Sequence, residues 1–245
     1  MFWSCKIFQL NPKVDTLVKT LLNSSGSDEE YRTKEDESLK LYMRSSVQNH
    51  YGHLCSLDVD RIVWAYNREK GRFPIKITSA VDAQIFEMPE FSNYVGMFAS
   101  SKVAIITAEA VKSVLARTKD IGMLPFFVTD FLLKEKEQDL RKLFDNMTEI
   151  SIDRLRDSFV RKATLKGKHL GESEEYQKYV KDKDLGGDVQ FFGVSVDDRS
   201  VILVSEGVIY TRQGSDRPES LKTVSECITN IRKADALRSR SYTLD

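Results

Sequence analysis

The chain has few of the residues that usually announce chemistry. Of its 245 residues, only three are histidine and three are cysteine. The cysteines, Cys5, Cys55 and Cys227, are odd in number and widely spaced. No disulfide framework follows from them, and a reducing compartment fits best. No apolar run approaches the ~18 residues needed to cross a bilayer as a helix. The opening residues, Met1 to Phe8, lack a positive stretch ahead of an apolar one, so they read as a first strand and not a signal peptide. A charge excess is missing too: 37 Lys and Arg balance 37 Asp and Glu. A whole-protein polycation coating nucleic acid is thereby excluded, although a local basic face is not, because fields depend on distribution. Neither G-x-x-x-x-G-K-[ST] nor G-x-G-x-x-G occurs, so no phosphate cradle is visible. A G-x-S-x-G elbow is also absent, and scarce histidine weakens Ser/His or Cys/His catalysis.

What is present describes a globular, soluble, cytoplasmic protein with 41% apolar and 30% charged residues. Its length suits one large domain or two small ones. Asn11-Pro12 reads as a helix start, with Leu17, Val18 and Leu21 forming the buried stripe. Residues 24–37 are acidic and polar, and read as a surface loop. Helices are expected from about Glu37 to Gln48, from Thr107, from about Phe131 to Met147, and from about Ile152 to Lys166. Strands are expected at Arg61–Tyr66 and Phe73–Thr78, joined by a turn containing Gly71, with Pro74 at a strand start or an edge. Further strands are expected at Gln84–Met88, Tyr94–Ala99 and Lys102–Ile106. Val189–Val196, Val201–Ser205 and Val208–Arg212 form a three-stranded meander. Asp216 with Glu219 then caps a last helix containing Leu221, Val224, Ile228 and Ile231. The expected fold class is therefore α+β: antiparallel hairpins and meanders packed by amphipathic helices, in two subdomains (1–150 and 151–245).

Two clusters carry candidate chemistry. His50, His53 and Cys55 fall within six residues, with Asp58 and Asp60 just downstream. Imidazole and thiolate are zinc ligands, and Asp-x-Asp is a spacing that holds Mg²⁺ or Mn²⁺. A structural zinc site needs a fourth ligand, which is not nearby, so the bland reading is a helix end followed by a polar turn. The second cluster is the basic stretch Arg154 to His169. If it is helical, Arg154, Arg161 and Lys168 recur every seven residues and share one face, the footprint of a helix laid on phosphates. The competing reading is a solvated amphipathic helix. Phe191, Phe192 and Tyr210 on the last meander could stack bases, or simply fill the core.

The expectation from sequence is a non-catalytic regulatory or interaction protein that contacts nucleic acid through the basic helix. It needs no cofactor, has protein partners or self-associates, and stays off membranes. A metal-assisted hydrolase or nuclease using the His50 to Asp60 region, and a subunit of a larger assembly, are the alternatives.

Overall fold

The computed structural model describes residues 3–11, 17–19, 21–22, 30–32, 38–86, 94–115, 127–133, 140, 143–144, 147–157, 159–168, 170–182, 184, 186–211 and 216–241. Antiparallel sheet dominates, with 53% strand against 29% helix. This corrects the expected α+β class: the chain is not a set of hairpins packed by many helices. The reason is a period-two alternation that can also be read as helical spacing. Along residues 39–43, Leu39, Leu41 and Met43 are buried, whereas Tyr42 is 46% exposed. Successive side chains of a strand point to opposite faces, so this is strand periodicity. The segment expected as a second helix is accordingly β3.

The chain divides into two compact units, Phe8–Thr129, and Met1–Ile7 together with Asp130–Asp245. The division falls between Thr129 and Asp130, whereas the sequence pattern predicts it near residue 150. Strand β1 (Trp3–Asn11) runs across the first boundary.

In the Phe8–Thr129 unit, β2 (Glu30–Arg32), β3 (Ser38–Asn49), β4 (Gly52–Asn67), β5 (Gly71–Phe86) and β6 (Tyr94–Ser100) lie side by side in chain order. Every pairing is antiparallel. Of the expected acidic loop, only Glu30–Arg32 is described, and it is strand; the rest lies outside the described residues. Helix α1 (Ser101–Leu115) follows β6 directly. It begins six residues before the expected cap at Thr107, so Lys102–Ile106 is helix, not strand. A short apolar run has no periodicity of its own, and tertiary packing decides its state. Here Ala104, Ala108, Val111 and Val114 pack into one buried cluster with Leu41, Leu57, Val59, Ala83, Ile85 and Met97. Leu17, Val18 and Leu21 are helical and join the same cluster, as their spacing predicts.

In the other unit the order is β1, β12 (Val208–Thr211), β11 (Arg199–Val204), β10 (Asp188–Val196), β8 (Met147–Asp153) and β9 (Lys162–Lys166). β7 (Phe127–Asp130) spans the division between the units. The expected meander is present. Asp197 and Asp198, at φ 46° and 61°, form the two-residue turn between β10 and β11, the geometry that favours a right-twisted hairpin. Helix α2 (Arg217–Ser241) starts as expected, with Asp216 Oδ1 accepting the Glu219 amide at 2.9 Å. Leu221, Val224, Ile228 and Ile231 are buried along it. The expected helix over Ile152–Lys166 does not exist. Ile152 lies near the end of β8, Arg154 takes φ 55°, and Ala163 and Leu165 alternate with Lys162, Thr164 and Lys166 in β9. The expected helix from Phe131 falls largely outside the described residues, and its last member, Met147, opens β8.

Candidate nucleic-acid interface

The β3–β4 hairpin distributes the His50 to Asp60 residues over two sheet faces. His50 sits at the exposed turn, its ring centroid 3.7 Å from that of Tyr51. His53 Nδ1 lies 3.3 Å from Ser46 Oγ, and the Cys55 thiol donates to that same hydroxyl at 3.6 Å. Cys55 shares the core face with Leu57 and Val59, and burial pushes its thiol up to about 11 despite the Ser46 hydrogen bond. At neutral pH it is therefore a buried thiol and not a free thiolate nucleophile. Asp58 and Asp60 project from the opposite face by alternation. Asp58 pairs with Arg44 at 3.4 Å. Asp60 accepts from Thr78 Oγ1 at 2.7 Å and from the Lys40 amide at 3.0 Å, and its carboxylate lies 3.0 Å from Lys76 Nζ. Burial raises its pKa, but these three donors outweigh it and hold the carboxyl below the usual range. Among the described residues, no three His, Cys, Asp or Glu side chains gather as metal ligands would.

The basic stretch Arg154 to Lys168 is a β8–β9 hairpin. Arg154 follows β8 and lies 3.5 Å from Asp188, an exposed pair of little energetic weight. Arg161 stands just before β9, where its carbonyl accepts the Leu155 amide at 3.1 Å. Lys168 lies beyond the other end of β9, roughly 20 Å along the chain at strand rise. The fold thus brings Arg154 and Arg161 to one end of the hairpin and leaves Lys168 at the other. Lys166 is occupied by Glu149 at 3.2 Å, and Lys162 faces Asp153 across the ladder. Phe159 is 94% exposed in the intervening loop, where Asp157 accepts the Phe159 and Val160 amides. Those amides pull the Asp157 carboxyl below its ordinary pKa. Of the possible stacking residues, Phe192 is buried, and Phe191 and Tyr210 are half-buried.

An open cleft of about 320 Å³ lies in the same unit, lined by Phe144, Val196, Asp197, Glu226, Asn230 and Lys233 among others. Lys222 reaches two of its carboxylates, Asp197 at 3.4 Å and Glu226 at 3.8 Å. No histidine or cysteine is among its described lining residues.

The distal half of the β4–β5 hairpin differs from all of these. The two strands pair without a break from Gly52↔Phe86 to Asn67↔Gly71. β3 accompanies β4 only as far as Val59 in register, and β6 meets β5 only at Gln84 and Ile85. From Val63 to Asn67 and from Gly71 to Ile75, the described structure is therefore a two-stranded ribbon. Asn67 Oδ1 accepts the amides of Glu69 (2.8 Å) and Lys70 (3.4 Å), and Gly71 closes the turn at φ +70°. A left-handed residue there calls for glycine.

One face of this ribbon is aromatic and cationic. Register places Ile62 opposite Lys76, Trp64 opposite Pro74, and Tyr66 opposite Arg72. Trp64 is 49% and Tyr66 76% exposed. The Arg72 guanidinium lies 5.0 Å from the Trp64 ring centroid. Across residues 61–77 five cations, Arg61, Arg68, Lys70, Arg72 and Lys76, meet one carboxylate, Glu69. Arg61 and Lys76 are tied at the root, to Ser79 (3.0 Å) and Asp60 respectively. Arg68 and Lys70 are exposed and have no ion-pair partner among the described residues. Sequence reasoning finds these strands and their turn but not their surface. The usable signal is basic and aromatic residues interleaved at period two, with a single acid among them. No family model matches this sequence, and no curated protein matches it.

Proposed function

We propose that the protein is a non-catalytic binding protein that contacts nucleic acid through the distal β4–β5 ribbon. The observation that carries this reading is the concentration of cations at one protruding turn, on a chain with no net charge. Two of them, Arg68 and Lys70, have neither an ion pair nor any other side-chain partner among the described residues. Lys and Arg that neutralise phosphates release condensed counterions, giving affinity without sequence preference. A neutral molecule with one basic arm directs that attraction to the arm and keeps the remainder off the polyanion. Three buried free thiols suit a reducing compartment, so the cytoplasm is the proposed location. Contact, not bond-making, fits side chains that are tied into the sheet, as Asp60 and Cys55 are.

The test is fluorescence anisotropy with labelled oligonucleotides of unrelated sequence at 50 and 200 mM salt. Binding should weaken steeply with salt and vary little with sequence. Arg68→Glu with Lys70→Glu should lower affinity and flatten the logarithmic salt slope by about 0.7–0.9 for each phosphate no longer neutralised. Salt-insensitive binding, or full affinity in the double variant, would remove the ribbon from the interface.

A further inference from the structure

Resting on the nucleic-acid reading above, we infer that the ribbon takes a single strand, whose bases stack on Trp64 and Tyr66 while Arg68, Lys70 and Arg72 meet its phosphates. Three features separate this from duplex binding. The first is spacing. Trp64 and Tyr66 are two residues apart on one strand face, a backbone step of about 6.4–6.8 Å at strand rise. Bases in a duplex step by about 3.4 Å along each strand. Successive duplex bases meet only each other at that step, whereas an extended single strand can offer separate bases to two rings.

The second feature is where the aromatics lie. Proteins that pry a duplex open insert apolar wedges between base steps. The tip of this ribbon is Arg68-Glu69-Lys70, with no apolar residue to act as such a wedge. The aromatics lie behind the tip and face sideways, as a stacking platform does. The third is the arrangement of charge. Lys76 is held by Asp60 and Arg61 by Ser79 at the root, and Arg72 lies against Trp64, so the two cations with no side-chain partner among the described residues, Arg68 and Lys70, lie beyond the rings at the turn. A strand running along the ribbon would meet Trp64, then Tyr66 with Arg72 opposite, then Arg68 and Lys70. Every base has a π-face, so such a site tolerates sequence.

The test uses the full chain with a 15-nucleotide oligo(dT), a duplex of the same length and polyglutamate. The only other tryptophan is Trp3, so emission reports on two positions. The single strand should bind at least tenfold more tightly than the duplex and quench tryptophan emission. Trp64→Phe should keep affinity within a few-fold but abolish the quenching. Trp64→Ala and Tyr66→Ala should each cost about 5–150-fold. Unchanged circular dichroism shows that the variants fold, and retained affinity in Trp64→Phe tests the ring independently of the truncations. Duplex binding as tight as single-strand binding overturns the inference while leaving the nucleic-acid reading intact, as does quenching that persists in Trp64→Phe. Absence of binding to either oligonucleotide at 50 mM salt, or equal affinity for polyglutamate, overturns both.

Discussion

The two halves of the β4–β5 hairpin share one continuous ladder but have opposite characters. At the root, Leu57, Val59, Ala83 and Ile85 are closed into the core, and Asp60 is bound by three donors. Beyond Ile62, side chains of the same strands are half-exposed or exposed, and Arg68 and Lys70 at the turn have no ion-pair partners among the described residues. No break in hydrogen bonding marks the transition. The neighbours β3 and β6 stop, and with them the burial. A long hairpin can thus be anchored in a core at one end and offer a surface at the other, and the residue at the changeover is the pinned carboxylate Asp60.

Substitutions should fall on either side of that line. Leu57→Ala, at a fully buried position, should cost about 2–5 kcal/mol in chemical denaturation, the range for large-to-small changes in a core. A cost below about 1 kcal/mol would show that the root is not the anchor.

Asp60→Asn should cost about 1–3 kcal/mol at pH 7, because charge-assisted bonds from Lys76, Thr78 and the Lys40 amide are weakened together. Its pH dependence has a definite sign. The folded-state pKa lies below the ordinary aspartate value of 3.8, so the stabilisation is fully present above that value and is lost as pH falls through the lower folded one. The gap between wild type and variant, followed by urea midpoints, should narrow below about pH 4. A gap that widened in acid would contradict the assigned role.

Gly71→Ala comes next, at about 1–2 kcal/mol. A new Cβ would meet nothing within 4 Å, so the cost is that of the left-handed backbone alone. Amide exchange should locate the effect at Ala65 and Phe73, with Leu57 and Ala83 unaltered. Smallest of all, Trp64→Ala should change global stability by no more than about 1 kcal/mol, the value of an exposed cation–π contact. A larger change in the denaturation midpoint would mean that the free half supports the fold.

The strands and turns of this protein are more legible than its helices, for a physical reason. Val189–Thr211 consists of short apolar runs broken at Asp197-Asp198 and at Glu206-Gly207, so its three strands are legible to within a residue or two. The β4–β5 turn is marked by Gly71. Residues 39–43 and 162–166 alternate, but charged residues among the apolar ones also satisfy a helical spacing. Burial in a sheet, which local sequence does not contain, decides between them. That ambiguity displaces the candidate site. A helix would collect Arg154, Arg161 and Lys168 on one face, whereas the hairpin sets Lys168 at the end opposite the two arginines. The basic residues of the ribbon are inconspicuous in the sequence. Period-two charge on a strand is hard to distinguish from an ordinary solvated face until the neighbouring strands are seen to stop.

Pro74 gives the free half a further property. A two-stranded arm with open backbone on both margins is a template for accretion, since any passing extended chain could add to it and begin a fibril. Proline has no amide hydrogen to donate, and in a paired strand it is tolerated where that hydrogen would have pointed outward. Its place in β5, opposite Trp64, removes one donor from that margin. With one outward donor fewer, that margin is a poorer template for a further strand.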